Sequence, residues 1–203
     1  MIGIGRQCLT SALALMLAAC GSLPSSSISE PATAATSKPL ILALPPVDLG
    51  CAVAVQQRLT VQPPGQSEQV LEALLEVDTQ QVQLAVFHLG QRMGVLRWDG
   101  ATLDTELSRW WPAQLPPAQV LSDLQMALWP LKAVSQALSP PWSVQQLEAV
   151  RVFAKDGVPY AEIKALDTNA LQIRYAQGGW SLRVDSPGGM RLCASASLSE
   201  AKS

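Results

Sequence analysis

From residue 52 to residue 107 the chain repeats one pattern: short runs of alternating apolar and polar residues, separated by turn formers. Alternation with a period of two puts every second side chain on the same face of a strand. Ala52 to Val61 alternates in part, through Val53, Val55, Leu59 and Val61, and Pro63-Pro64-Gly65-Gln66 then signals a turn. Gln69 to Val77 reads as a second strand, although its Glu-Ala-Leu-Leu-Glu stretch also reads as helix. Val82 to Phe87 alternates cleanly and gives a third. His88-Leu89-Gly90-Gln91 is a tight connection, Met93 to Trp98 a fourth strand, Asp99-Gly100 a hairpin turn, and Thr102 to Leu107 a fifth strand. Turns spaced by about 8 to 12 residues mark an antiparallel sheet or barrel.

The period then changes. After Pro116-Pro117, the apolar positions Val120, Leu121, Leu124, Ala127, Leu128, Leu131, Val134 and Leu138 follow helical spacing. Pro117 suits a first helical turn, and Pro130 must kink or split the segment, so two short helices or one bent helix are expected. Pro140-Pro141 ends it. Strand signals resume over Ala149 to Ala154, Tyr160 to Ala165, Ala170 to Tyr175, Trp180 to Val184 and Met190 to Ala196. Turns at Asp156-Gly157, Asp167-Thr168-Asn169 and Gln177-Gly178-Gly179 separate them. The expected architecture is strands, a helical insertion, then strands, in one domain over residues 40–203.

The N-terminus has a different character. Arg6 precedes a short apolar stretch, Cys8 to Leu17, which fits the hydrophobic region of a signal peptide and is too short to span a bilayer. It closes on Leu17-Ala18-Ala19-Cys20, the pattern of a lipobox. Residues 1–19 are therefore expected to be an export signal. Cys20 is the expected site of diacylglyceryl and acyl (palmitate-type) attachment. Three acyl chains would hold the protein on a membrane without a transmembrane helix, since each buried methylene contributes about 0.8 kcal/mol. Residues 21–39 are rich in Ser, Ala, Thr and Pro and read as a flexible tether with a reach of about 25 Å.

Composition narrows the function classes. Charged residues make up only 15% of the chain and hydrophobic ones 48%. The net charge is −2, or near −3 once Arg6 is removed, and no basic patch supports nucleic-acid binding. Cleavage would discard Cys8. With Cys20 lipidated, Cys51 and Cys193 remain in strand-like sequence, and an oxidising compartment leaves two outcomes open: a Cys51–Cys193 disulfide or two separate buried thiols. Six Trp beside two Phe and two Tyr is unusual. Indole suits both a packed core and the rim of an apolar cavity, where its N–H finds a partner.

Catalytic signals are sparse. His88 is the single histidine and falls at a turn. There is no second His for a zinc site, no Cys-x-x-Cys, no Gly-x-Ser-x-Gly elbow and no phosphate-binding glycine loop. Neither an enzyme nor a cofactor is expected.

Several runs, Leu89-Gly90-Gln91-Arg92-Met93, Trp98-Asp99-Gly100, Leu115-Pro116 and Leu121 to Leu131, resemble an uncharacterised family of bacterial lipoproteins. Those proteins accompany aryl-polyene and related fatty-acid-like biosynthesis genes. More distantly, the strand–helix–strand order, the Leu-Gly turn and the lipobox resemble the outer-membrane lipoprotein receptor LolB and its periplasmic carrier relative LolA. The resemblance spans about Cys51 to Val184. It implies an α+β fold: a curved antiparallel sheet forming an incomplete β-barrel with a helical lid over an apolar cavity. Gly21 after the lipidated Cys, by resemblance to Gram-negative lipoproteins, implies the outer membrane, facing the periplasm.

The same resemblance implies a non-catalytic protein that takes an acyl-chain or polyene-like lipid and helps place it in the membrane. Val82, Leu84, Val86, Val95 and Trp98 would form the inner wall, and Leu121, Leu124, Leu128 and Trp129 the lid. A one-residue register slip would reverse every wall assignment. Leu89 matches a protruding membrane-inserting Leu of LolB; folding back onto the core is the plainer alternative. The implied partners are the membrane, a hydrophobic lipid and a periplasmic carrier protein. A scaffold lipoprotein that tethers an envelope complex is the second reading, and a lipid esterase using His88 the third.

Overall fold

The computed structural model describes residues 39–188. The export signal, Cys20, the tether to residue 38, and the last expected strand with Cys193 lie outside the described residues. Ten strands form one sheet: β1 (Val53–Gln62), β2 (Gln69–Val77), β3 (Val82–His88), β4 (Gln91–Trp98), β5 (Leu103–Leu107), β6 (Trp142–Leu147), β7 (Val150–Lys155), β8 (Val158–Ala165), β9 (Ala170–Tyr175) and β10 (Ser181–Asp185). The helices are α1 (Pro117–Leu128) and α2 (Leu131–Ala137).

The order across the sheet is β5-β4-β3-β2-β1-β10-β9-β8-β7-β6, with each adjacent pair antiparallel. Two meanders thus join through β1 and β10, and the sheet is open, with β5 and β6 as its edges. The expected antiparallel sheet with a helical insertion is what forms. Gln69 to Val77 is strand and not helix. Leu71, Ala73, Leu75 and Val77 all turn to the core face, which a two-residue period allows and a helical period would scatter.

Pro117 begins α1 and Pro130 separates it from α2. Proline supplies no backbone N–H, so it is accommodated at a helix start and excluded from an interior. Two elements were not expected from the sequence. β6 follows directly on Pro140-Pro141, and its pattern is mostly exposed, as suits an edge strand with one neighbour. The second is the segment before β1. Leu40, Leu42 and Leu44 are buried while Ile41 and Val47 are exposed, and a 3-10 turn, Pro46–Leu49, follows. This strap makes no sheet pairing, yet its three leucines belong to the core cluster.

The register gives the sheet two ends. At one lie the connections β1–β2, β3–β4, β7–β8 and β9–β10 and the chain leaving β5. At the other lie β2–β3, β4–β5, β6–β7 and β8–β9. They are termed the hairpin rim and the opposite rim. Leu40 N–H bonds to the Tyr160 hydroxyl near the start of β8, and Pro46 lies against Gly100. The chain therefore joins the fold at the hairpin rim and crosses to the opposite rim.

Candidate functional site

The helix-covered face of the sheet is apolar. Val82, Leu84, Leu96, Trp98 and Leu103 meet Leu121 and Leu124 of α1 around one interstice. It has no room for a water molecule. Side chains fill this interstice. Five residues expected at a lipid site come together there: Val82, Leu84, Trp98, Leu121 and Leu124. Val86 shares their face, since Val82, Leu84 and Val86 pair with Trp98, Leu96 and Gly94. Leu128 is half-buried against the core, and Trp129 is fully buried.

Val95 is a correction. It pairs with Ala85, one residue out of step with the Leu84–Leu96 pair, and so points to the other face. It is buried there but outside the core cluster. Arg97 and Glu106 form an ion pair at 2.6 Å beside it in the sheet, where Glu106 is its direct cross-strand neighbour. The two-residue period already separates Val95 from Trp98, three positions on; a β-bulge at Val86/Phe87 re-phases only the hairpin end of the pair.

Sequence reasoning missed how the strap is held. Ser122 of α1 accepts from Leu42 N–H at 3.0 Å and donates to the Leu40 carbonyl at 3.0 Å. Gln125 accepts from Leu44 N–H and donates to the Leu44 carbonyl, both at 2.9 Å. Trp98 Nε1 also donates to Leu44, and Trp129 Nε1 to Pro45. Two helix side chains thus do for an extended segment what a neighbouring strand would do. Buried backbone groups need such partners, because a lost one costs about 1–3 kcal/mol. The available signal was two polar residues, Ser122 and Gln125, next to the apolar positions Leu121 and Met126 on α1.

A polar cluster lies where the strap enters. Asp123 accepts from the Tyr175 hydroxyl and, at 2.7 Å, from Gln119 Nε2. Tyr160 stacks edge-on to both Tyr175 and Trp142. Burial pushes the Asp123 carboxyl up to about 6, opposed by the Tyr175 and Gln119 hydrogen bonds. Burial, then the Asp123 charge, raises the Tyr175 hydroxyl well above its ordinary value. Gln119 Oε1 is buried with no partner among the described residues.

The remaining candidates lie apart from this interior. His88 Nδ1 is 3.0 Å from the Val70 carbonyl oxygen, a contact that uses an Nδ1–H donor. Leu89 forms the β3–β4 turn with Gly90, with φ +49° and +76°, and is 90% exposed. It does not fold back onto the core. Cys51 is disulfide-bonded, and its expected partner Cys193 lies outside the described residues, as does Cys20.

The family described as "Protein of unknown function (DUF3261)" matches residues 54–187, which span β1 to β10. Among solved structures, the chain is similar to a LolA superfamily protein from Nitrosomonas europaea. The identity is 9%, with 71% of this chain and 89% of that chain covered and a TM-score of 0.33. Likeness at that level carries no argument about function. No curated protein matches the chain.

Proposed function

The chain belongs to the family described as Protein of unknown function (DUF3261), and on that premise we propose that it is a LolB-like, lipid-anchored envelope protein. It takes an acyl-chain or polyene-like lipid between its curved sheet and α1, and assists its transfer to or insertion in the outer membrane. Leu17-Ala18-Ala19-Cys20 supports the anchor, and Gly21 the outer-membrane, periplasm-facing placement. The observation that carries the ligand is the site lining: Val82, Leu84, Leu96, Leu103, Leu121 and Leu124 are aliphatic, and the Trp98 indole N–H is already bonded to Leu44. Such a surface offers an acyl chain burial at about 25 cal/mol per Å² and offers a polar ligand nothing. A chain enters as α1 and the strap move apart, and the strap carbonyls then need other partners. A periplasmic carrier protein fits as donor.

A second reading is a scaffold lipoprotein that binds protein and not lipid. The filled interstice between the sheet and α1 favours it. The two separate in one experiment. Residues 21–203, exported without the lipid anchor and purified without detergent, are examined by native and extracted-lipid mass spectrometry. A stoichiometric acyl or polyene species supports carriage. A protein that is empty and takes up no fluorescent fatty acid supports the scaffold.

A further inference from the structure

The polar cluster at the strap entrance leaves two acceptors unmet. Gln119 and Asp123 stand one turn apart on α1. Their hydrogen bonds converge on one carboxylate oxygen. Asp123 Oδ1 accepts from the Tyr175 hydroxyl and from Gln119 Nε2, and Gln119 Nε2 also donates to the Tyr175 hydroxyl at 3.1 Å. These bonds fix the amide, because turning it over would set an acceptor against the carboxylate. Gln119 Oε1 is thereby left buried without a donor, and Asp123 Oδ2 accepts no hydrogen bond among the described residues.

The cluster also carries an uncompensated charge. Among the described residues no ion pair involves Asp123. Around it β9 offers Tyr175, β8 offers Tyr160, and the strap offers Leu40, whose N–H is bonded to Tyr160. The cation of the group, Lys155 of β7, lies over the Trp142 ring, 5.5 Å from its centroid. A carboxylate drawn out of water without a cation is costly, and burial raises the Asp123 carboxyl accordingly. Trp142, Tyr160 and Tyr175 stand nearly at right angles to one another in sequence, at 79° and 84°. Gln119, Asp123 and all three rings are half-buried, so the cluster reaches solvent.

We propose that this cluster binds a primary alkylammonium group, the chemistry shared by the ethanolamine headgroup of a phospholipid and a free alkylamine. Its N–H groups donate to Gln119 Oε1 and Asp123 Oδ2, its charge offsets the carboxylate, and its carbons lie against the rings. A quaternary ammonium has no N–H to give either oxygen, and a hard metal ion needs roughly six oxygen ligands where two are offered. The cluster shares no residue with the apolar interstice, so this site stands whether or not that surface takes an acyl chain.

The test is calorimetric titration of residues 21–203 at pH 8 with dibutanoyl phosphatidylethanolamine, dibutanoyl phosphatidylcholine and butylamine. The ethanolamine lipid is expected to bind about ten-fold more tightly than the choline lipid. Butylamine binding as tightly as the ethanolamine lipid assigns the site to free amines, and weaker butylamine binding assigns it to the lipid; the proposal stands in both cases. Asp123→Asn, which keeps an acceptor for Tyr175, is expected to lose about ten-fold for the ethanolamine lipid and nothing for the choline lipid. Asp104→Asn, an exposed carboxylate of β5, is expected to bind as wild type. In the wild type, amine affinity is expected to rise about ten-fold from pH 5 to pH 8 as Asp123 ionises through about 6, while the amine and Lys155 stay charged. Equal affinity for the two headgroups, wild-type affinity in Asp123→Asn, a flat pH profile, or no binding of either amine overturns the proposal.

Discussion

The two rims of one sheet solve the same problem, reversing a strand, with different residues. At the opposite rim, Asp78 accepts from the N–H groups of Gln80 and Gln81, Asp99 from Ala101 and Thr102, and Asp167 from Asn169. Those bonds hold the Asp78 and Asp99 carboxyls below their ordinary range. These three aspartates satisfy the backbone of their own turns, the usual reason for Asp in turns, while Glu148 in the β6–β7 turn stands at φ +53°. At the hairpin rim, the β3–β4 turn holds a leucine at positive φ with its side chain in solvent. Both rims carry a non-glycine at positive φ, Glu148 at one and Asp156 and Leu89 at the other; Leu89 differs from the other two in exposing a large apolar side chain, which the fold alone would not select.

The largest expected effect comes from moving the hairpin rim as a whole. Gly94 lies under Trp111, and an added Cβ would fall 2.8 Å from its Cε3 and 2.9 Å from Leu107 Cδ2. Gly94→Ala is expected to cost about 1–3 kcal/mol through overpacking. Urea denaturation reads the effect.

Asp123, half-buried at the strap entrance, comes next. Its folded pKa of about 6 lies above the ordinary value of 3.8. The folded state therefore binds the proton more tightly, so this contribution is fully present below the ordinary value and lost as pH rises through about 6. The protein is expected to be less stable at pH 8 than at pH 5 by about 1–2 kcal/mol from this group. Asp123→Asn keeps an acceptor for Tyr175 and is expected to abolish that slope.

The opposite rim gives a smaller effect of opposite pH sign. Asp99 has a lowered pKa, so its contribution is present above the ordinary range and lost as pH falls. Asp99→Ala is expected to lower the urea midpoint at pH 7 and to leave it unchanged near pH 2. The smallest effect is a gain: Leu89→Asn is expected to raise stability by about 0.5 kcal/mol, relieving a left-handed leucine. A loss of stability there would make Leu89 a fold residue and erase the contrast between the rims.

Much of this sheet was legible as alternation. β2, β3, β4 and β9 form where period-two patterns occur, and Pro130 divides the helices as its missing N–H requires. β6 was hidden because an edge strand after Pro140-Pro141 buries little and so alternates weakly. The strap was hidden for another reason. Leu40, Leu42 and Leu44 do alternate, but their hydrogen-bond partners are side chains about 80 residues away on α1, and pattern reading recognises strands that pair with strands. At the site, Val82, Leu84 and Trp98 followed from parity, and Val95 failed by the same rule. The filling of the interstice under α1 was not legible, because its volume depends on how α1 settles on the sheet. Leu89 was legible as a turn residue, and its exposure was not, because a turn leucine can fold either way.

The most direct measurement is amide hydrogen exchange on the protein with vesicles containing phosphatidylglycerol, compared with the same protein in detergent. The LolB-like account predicts slower exchange with vesicles at residues 88–92, around Leu89, with residues 78–81 and 99–102 unchanged. Protection confined to the Asp78 and Asp99 turns, or equal at both rims, would contradict it.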